Sequence, residues 1–340
     1  MLRIFAILVA ALIALGTLSA APKPAAAVDL DKLVCAITFW PFQGINKLAD
    51  DLGYFKEEGV EVEYIFDDDL QVQLAAMDAG HINCNSRTIG EYQSRPRTAD
   101  TMGIIVAAED LSLGGDGVVV DGSIKSVCDL KGKTVAFEPT IPGILLLQKR
   151  LKDECNGMTL AETNTVQIAT ADGVAVFGDP SIMAVASYEP VMSQIVSQSG
   201  REGAYKLVDS SAFPGLIFDV WFFHNELIEK NPELIRAYLR AIYRAIDHYL
   251  ANPEEDTKIM ATFFNLTPEE MAEALAGGKY TSYEDAVKYF GTPDAPGEVF
   301  GIFDQVMQLN VENGTADAPL DARHHMSNAL LVGLFDGHTR

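Results

Sequence analysis

The chain has 340 residues, 48% of them hydrophobic, and 48 acidic against 25 basic side chains leave a formal net charge of −23. That length supports two lobes of ordinary domain size, each with a substantial core. Such an acidic surface repels nucleic acid and anionic lipid, so polyanionic partners are excluded more securely than a cationic one is indicated.

In chain order, Met1-Leu2-Arg3 carries one early positive charge, Ile4 to Leu18 is apolar, and the small residues Ser19-Ala20-Ala21 follow. This is the pattern of a secretory leader over residues 1–20, with cleavage after Ala20 or as late as Ala27. The apolar run is shorter than the roughly 20 residues that a spanning helix needs. The first cysteine, Cys35, lies well inside the first predicted strand, so none stands at the cleavage point to carry a lipid. An exported, soluble protein is expected, with a mature charge of −24 once Arg3 is removed.

"KLVCAITF" (Lys32–Phe39) reads as a buried strand. "INKLADDLGYFKEEG" sets Ile45, Leu48, Ala49, Leu52 and Phe55 at helical spacing, predicting one helix that Gly59 ends. "VEVEYIF" alternates apolar with acidic, as a strand with one wet face does. "LQVQLAAMDAG" is a short helix, and "HINCNS" and "GIIVAAE" (Gly103–Glu109) are two further strands.

The alternation restarts after "GGDGVVVDGSI" with a strand at Thr134–Phe137, a helix over Ile144–Lys152, and the strands "TVQIAT", "IMAVASYEP" and "YKLVDSS". "LIFDVWFFHNEL" is another apolar strand-like run. Helices follow. One has Asn231 as N-cap and Pro232 at its first position; another opens on a capping box of Thr267 and Glu270.

The reading is an α/β chain of two mostly parallel sheets flanked by helices, with C-terminal helices packing on lobe one. Crossings fall near residues 113–122 and 212–222, which places lobe one at 29–116 and 217–340 and lobe two at 117–216. In open α/β sheets ligands bind beyond the carboxyl ends of the strands, so a cleft between the lobes is expected. Four cysteines in an exported chain allow three pairings. Cys128 and Cys155 flank one strand–helix unit and are placed to meet, Cys35 and Cys84 lie in neighbouring predicted strands, and buried free thiols are the alternative.

At "LGYFKEEGVEVEYIF" the chain resembles the periplasmic substrate-binding proteins of the nitrate/taurine/sulfonate class of ABC importers. "LAAMDAGHINC", "SVCDLKGKTVAFEP" and "IMAVASYEPVMSQ" match further segments of that class, over about residues 32–310. The resemblance implies the type II periplasmic binding protein fold, with two lobes closing about two hinge crossings. It also implies a periplasmic location, a small-molecule solute, a permease at the membrane surface, a monomer, and neither enzyme activity nor cofactor. Two departures weaken the match to anion-binding members. Ser181-Ile182-Met183 replaces the usual Gly/Lys-Val-Asp, and "PTIPGILL" lacks their characteristic turn.

The candidate ligand-binding residues cluster at predicted strand ends. Trp40, Phe42 and Gln43 close the first strand with an aromatic wall suited to a cation or a flat amide. Asn85, Ser86 and Arg87 follow the strand of Cys84; Arg87 either grips a ligand's acid group or pairs with Glu91. Glu109 and Asp110 end the next strand, Glu138 ends the first strand of lobe two, Glu189 sits in "SYEP", and Asp219 lies in the return crossing. Thr140 opens the helix behind Glu138, where backbone N–H groups can meet a polar group.

Carboxylates converging on one cleft favour a cationic ligand. The solutes expected are taurine-like zwitterions, sulfonates, or guanidinium, urea and amine compounds. An exported enzyme on the same scaffold, pyrimidine-synthase-like or otherwise, is the alternative, although no nucleophile elbow or phosphate-binding glycine motif is present. The adjacent His324-His325 cannot share a helix face as metal ligands do and reads as a solvated tail.

Overall fold

The computed structural model describes residues 28–94, 97–98, 100–139 and 141–340. The leader expected over residues 1–20 and the candidate Thr140 lie outside the described residues. Eleven strands build two sheets, one per lobe. Lobe one holds β1 (Leu33–Ile37), β2 (Val62–Phe66), β3 (Cys84–Thr88) and β4 (Ile104–Ser112). The chain then crosses to lobe two, which holds β5 (Asp116–Val120), β6 (Thr134–Phe137), β7 (Asn164–Gln167), β8 (Ile182–Tyr188) and β9 (Tyr205–Asp209). It returns to lobe one as β10 (Phe218–Phe223) and adds β11 (Gly278–Tyr280). Spatial order is β11-β4-β10-β3-β1-β2 in lobe one and β7-β6-β8-β5-β9 in lobe two.

The sheets are mixed rather than mostly parallel. β10 runs antiparallel to both β3 and β4, and β5 runs antiparallel to both β8 and β9. The cause is the route of the chain. A strand arriving through the hinge enters its lobe at the edge where that lobe's other strands end, so it must run against them. The "GGDGVVV" stretch therefore holds a strand of lobe two, β5, where a plain crossing was expected. The two crossings are tied together: the hydroxyls of Ser112 and Ser210 lie 2.7 Å apart, and the Gly114 N–H donates to the Ser210 hydroxyl at 2.6 Å. Gly115 has no room for a side chain, because a β-carbon there would sit 2.7 Å from the Trp40 ring.

The helix predicted over Ile45–Gly59 is two helices, α1 (Ile45–Asp51) and α2 (Tyr54–Glu58). Gly53 at φ 78° separates them, a left-handed conformation that ends the first before the hydrophobic stripe runs out. Both pack on the long helix Pro232–Ala251, whose N-cap Asn231 accepts from the Leu234 N–H. The Thr267–Glu270 capping box is present as expected. His325 is no solvated tail: it is buried, its Nδ1 lies 2.9 Å from the Tyr92 hydroxyl, and burial lowers its pKa to about 4. No helix among the described residues is long and apolar enough to cross a membrane.

Two disulfides are formed. Cys35 and Cys84 join neighbouring parallel strands at directly opposed positions, and Cys128 joins Cys155 across a Cα separation of 5.5 Å. The second closes 27 residues of lobe two. Replacing Cys128 and Cys155 with alanine lowers the unfolding free energy by about 3–4 kcal/mol through restored freedom of the unfolded chain. Urea unfolding of the variant beside the oxidised parent measures this; coincident curves would show that the bridge does not form.

Candidate functional site

A cleft lies between the lobes. Lobe one lines it with Thr38, Trp40, Asp68, Leu70, Arg87, Thr88, Glu91 and Asp219. Across the hinge, Asp116, Glu138, Pro139, Ile141, Pro142 and Tyr188 complete it. Five of these residues are acids and one is a guanidinium.

The aromatic wall is built where β1 runs out. Trp40 stacks on Phe42 (centroids 5.4 Å apart, planes at 22°) and meets Tyr188 of lobe two edge-on at 6.0 Å. Its indole N–H donates to Asp110, 3.1 Å from the nearer carboxylate oxygen. Phe42 does not line the cleft; it supports Trp40 from behind and packs edge-on against Tyr280. Gln43 is also behind the wall. Its Oε1 accepts from the Thr38 N–H at 2.7 Å and its Nε2 donates to the Ser86 carbonyl at 3.1 Å, joining the end of β1 to β3.

Asn85, Ser86 and Arg87 lie inside β3, not after it, and alternate across the sheet. Asn85 and Arg87 share one face and both donate to Gln73 Oε1 of helix α3 (Leu70–Asp78), at 3.1 and 2.9 Å. Arg87 also donates to Glu91 Oε1 at 3.0 Å and to the Asp68 carbonyl at 2.7 Å. Of the two readings of Arg87, the geometry has the pairing with Glu91. Glu91 in turn accepts from the Thr88 N–H and hydroxyl at the start of a short helix, α4 (Ile89–Tyr92), so this ion pair is held on all sides.

Glu109 and Asp110 also lie inside a strand, because β4 continues to Ser112. Both are fully buried behind the wall, Glu109 accepting from the Ser86 hydroxyl and Asp110 from Trp40. Burial, and after it the neighbouring carboxylates, raises the pKa of both well above the ordinary range.

Asp219 lies in β10 directly opposite Asp110 and faces the cleft. It is 5% exposed and its side chain makes no hydrogen bond among the described residues; burial, then Asp110 and Glu91, raise its pKa well above the usual value. Glu138 stands just past β6, where Thr170 donates its N–H (3.1 Å) and hydroxyl (2.5 Å) to Oε2. Burial raises its pKa too, as it does that of Asp68.

Glu189 is directed elsewhere. It follows β8 outside the cleft lining, accepts from the Ser193 N–H and hydroxyl, and is paired with Lys206.

Of the sequence candidates, Trp40, Arg87, Glu138 and Asp219 thus share the cleft, while Phe42, Gln43, Asn85, Ser86, Glu109 and Asp110 form the layer behind it. The lining residues that sequence reasoning missed are chiefly Asp68, Asp116 and Tyr188. Asp116 is the most telling. It is the first residue of β5, 3% exposed, and burial pushes its pKa up to about 7. An acid between the glycines of "GGDG", at a crossing already inferred, was the available signal. Tyr188 immediately precedes the candidate Glu189. No group of three or more His, Cys, Asp and Glu that could hold a metal ion occurs among the described residues.

The NMT1/THI5-like family model matches residues 46–256, and the chain belongs to that family. A relative in Brucella abortus, named "Putative binding protein", is 25% identical over 83% of this chain and 85% of its own. The fold is that of the periplasmic aliphatic sulphonate binding protein of Escherichia coli (TM-score 0.70, 18% identity, 87% of this chain and 92% of that one). It is also that of the periplasmic nitrate-binding protein of Synechocystis (TM-score 0.71, 15% identity, 92% and 90%). A desulfurization enzyme shares it as well, at TM-score 0.63 and 14% identity.

Proposed function

We propose that this member of the NMT1/THI5-like family is the periplasmic receptor of an ABC importer, and that its solute carries an amine or guanidinium group and no acid group. The observation that carries the ligand class is the balance of the cleft: five acids against one arginine, which is already paired with Glu91 and bonded to Gln73 and the Asp68 carbonyl. A carboxylate or sulfonate would meet like charge, and the one cation in the lining is already paired with Glu91, which favours an amine or guanidinium over zwitterions and sulfonates. A cation relieves the cost of the buried acids and stacks on Trp40.

Both lobes line the cleft, so a bound solute favours their closure, and a closed pair of rims is what a permease would read. The receptor acts as a monomer delivered by its cleaved leader. Enzyme chemistry lacks support: the lining has no histidine or cysteine, and its glutamates Glu138 and Glu91 accept from the Thr170 and Thr88 hydroxyls, Glu91 being paired with Arg87 as well.

Thermal unfolding against guanidinium, small amines, taurine, alkanesulfonates and nitrate tests the reading. A ligand at a hundred times its dissociation constant adds about 2.7 kcal/mol, a shift of several degrees. Amines or guanidinium raise the midpoint and the anions do not. Trp40→Ala weakens the responding compound by about tenfold or more, from the lost cation–π contact. A shift with sulfonates or nitrate alone would overturn the ligand class, and turnover of the bound compound seen by mass spectrometry would overturn the receptor.

A further inference from the structure

We propose that a groove beside the second hinge crossing is a separate binding site for an amphipathic anion, an apolar body carrying a carboxylate or sulfonate group. The groove shares no lining residue with the cleft, so the inference is independent of the cleft's solute.

The groove, of about 520 Å³, has the size of a small-molecule site. Its body is apolar: Leu113 of the first crossing, Phe213 and Leu216 of the second, Phe218 of β10, and Ile302 of the helix Glu298–Glu312. Phe218 also meets Tyr289, another lining residue, edge-on at 5.2 Å. Leu113 is 38% exposed there, although Leu216 and Ile217 of the facing crossing are buried. Apolar surface gathered in an open concavity marks a place that something apolar covers.

The charged residues of the groove set the sign of its occupant. The cleft holds five acids and one arginine, whereas this groove holds Lys149 and Lys279 against Glu298 alone. That reversal occurs in a chain whose acids outnumber its bases 48 to 25. Glu298 is also the first residue of its helix, where the positive end of the helix dipole offsets its charge. Both lysines have acid partners, Asp153 at 2.9 Å and Asp285 at 3.5 Å, but neither partner lines the groove. Unlike Arg87, these lysines have side chains 23% and 57% exposed, and pairs so open to water hold their members weakly. Lys149 Nζ already lies 5.4 Å from the centre of the Phe213 ring, over the apolar lining. A ligand whose body rests on Phe213 therefore brings its acid group within reach of that ammonium. Lys149 belongs to lobe two and Lys279 to lobe one, so the site straddles the hinge.

Fluorescence titration of the purified protein with 1-anilinonaphthalene-8-sulfonate tests this, with uncharged N-phenyl-1-naphthylamine as the control for apolar attraction alone. The sulfonate binds saturably, at least about tenfold tighter than the uncharged analogue. Leu113→Glu weakens it by about tenfold or more, and Lys149→Gln with Lys279→Gln by about fivefold. All three positions are at least partly open to water, so the variants unfold close to the parent's midpoint. Equal binding of the uncharged analogue, or no binding of either compound, would overturn the inference. So would binding that ignores the groove variants and is lost in Phe39→Ser, which would place the sulfonate on the exposed rings of Phe39 and Phe66.

Discussion

Arg87→Met lowers the unfolding free energy by about 3–5 kcal/mol, the cost of breaking a buried, hydrogen-bonded ion pair from one side. The residue is 7% exposed, and its side chain satisfies Glu91, Gln73 and the Asp68 carbonyl together. Its removal leaves Glu91 buried without its cationic partner and the Asp68 carbonyl without the arginine donor, while Gln73 Oε1 keeps only the Asn85 donor. Arg87→Met with Glu91→Leu recovers much of the loss, because an apolar pair of similar volume has no charge to desolvate. Urea unfolding measures both.

The same variant separates two roles for the arginine. As a structural partner, its loss leaves the folded fraction binding amines at least as tightly as before, since the cleft has gained net negative charge. As the holder of a ligand's acid group, its loss would abolish binding with little change in stability, and that outcome would restore the zwitterion reading.

The affinity for an amine falls roughly a hundredfold between about pH 8 and pH 5 if Asp116 must ionise to hold it. The amine stays protonated throughout, with an ordinary pKa of about 10.4. The Asp116 carboxyl titrates at about 7, held up by burial first and then by Glu91 and Glu189, against the Ser112 hydroxyl that pulls it down. Above that value it meets the cation as a carboxylate. Each unit below it costs about tenfold, because a proton must leave before the cation can enter. Calorimetry across this range, in buffers matched for ionic strength, measures the slope. A flat profile would remove Asp116 from the site.

The empty protein has the opposite trend. A carboxyl whose folded pKa is raised adds stability that is complete below its unfolded value near 4 and is lost as pH rises through about 7. The ligand-free unfolding midpoint therefore falls between about pH 6.5 and pH 8. Groups shifted the other way act outside this window. Glu284, paired with Arg340 and lowered to about 2, loses its contribution only below the ordinary glutamate range, and buried His325, at about 4, costs stability only as pH falls below about 6.5.

Local chemistry was legible in the sequence wherever it acts over a few residues. The N-cap at Asn231, the capping box at Thr267, the strand Thr134–Phe137 and the aromatic end of β1 are each specified by spacing and residue type within one turn or strand. The acidity of the cleft could be anticipated in the same way, because Glu138 and Asp219 stand beside apolar runs that had to be buried.

What tertiary structure alone decided was the side of the sheet each polar residue faces and the partner it meets there. Arg87 met Gln73 and Glu91 because β3 lies against helix α3, and Glu109 and Asp110 went behind the wall because β4 runs three residues beyond its predicted end. The hinge strands β5 and β10 run backwards because the chain enters each lobe at its open edge, which no local pattern records. A side chain's charge is written in the sequence. Whether that charge is spent within the protein or left for a ligand depends on contacts between residues far apart in the chain, as Asp219, opposite Asp110 and with a side chain that has no hydrogen-bond partner among the described residues, shows.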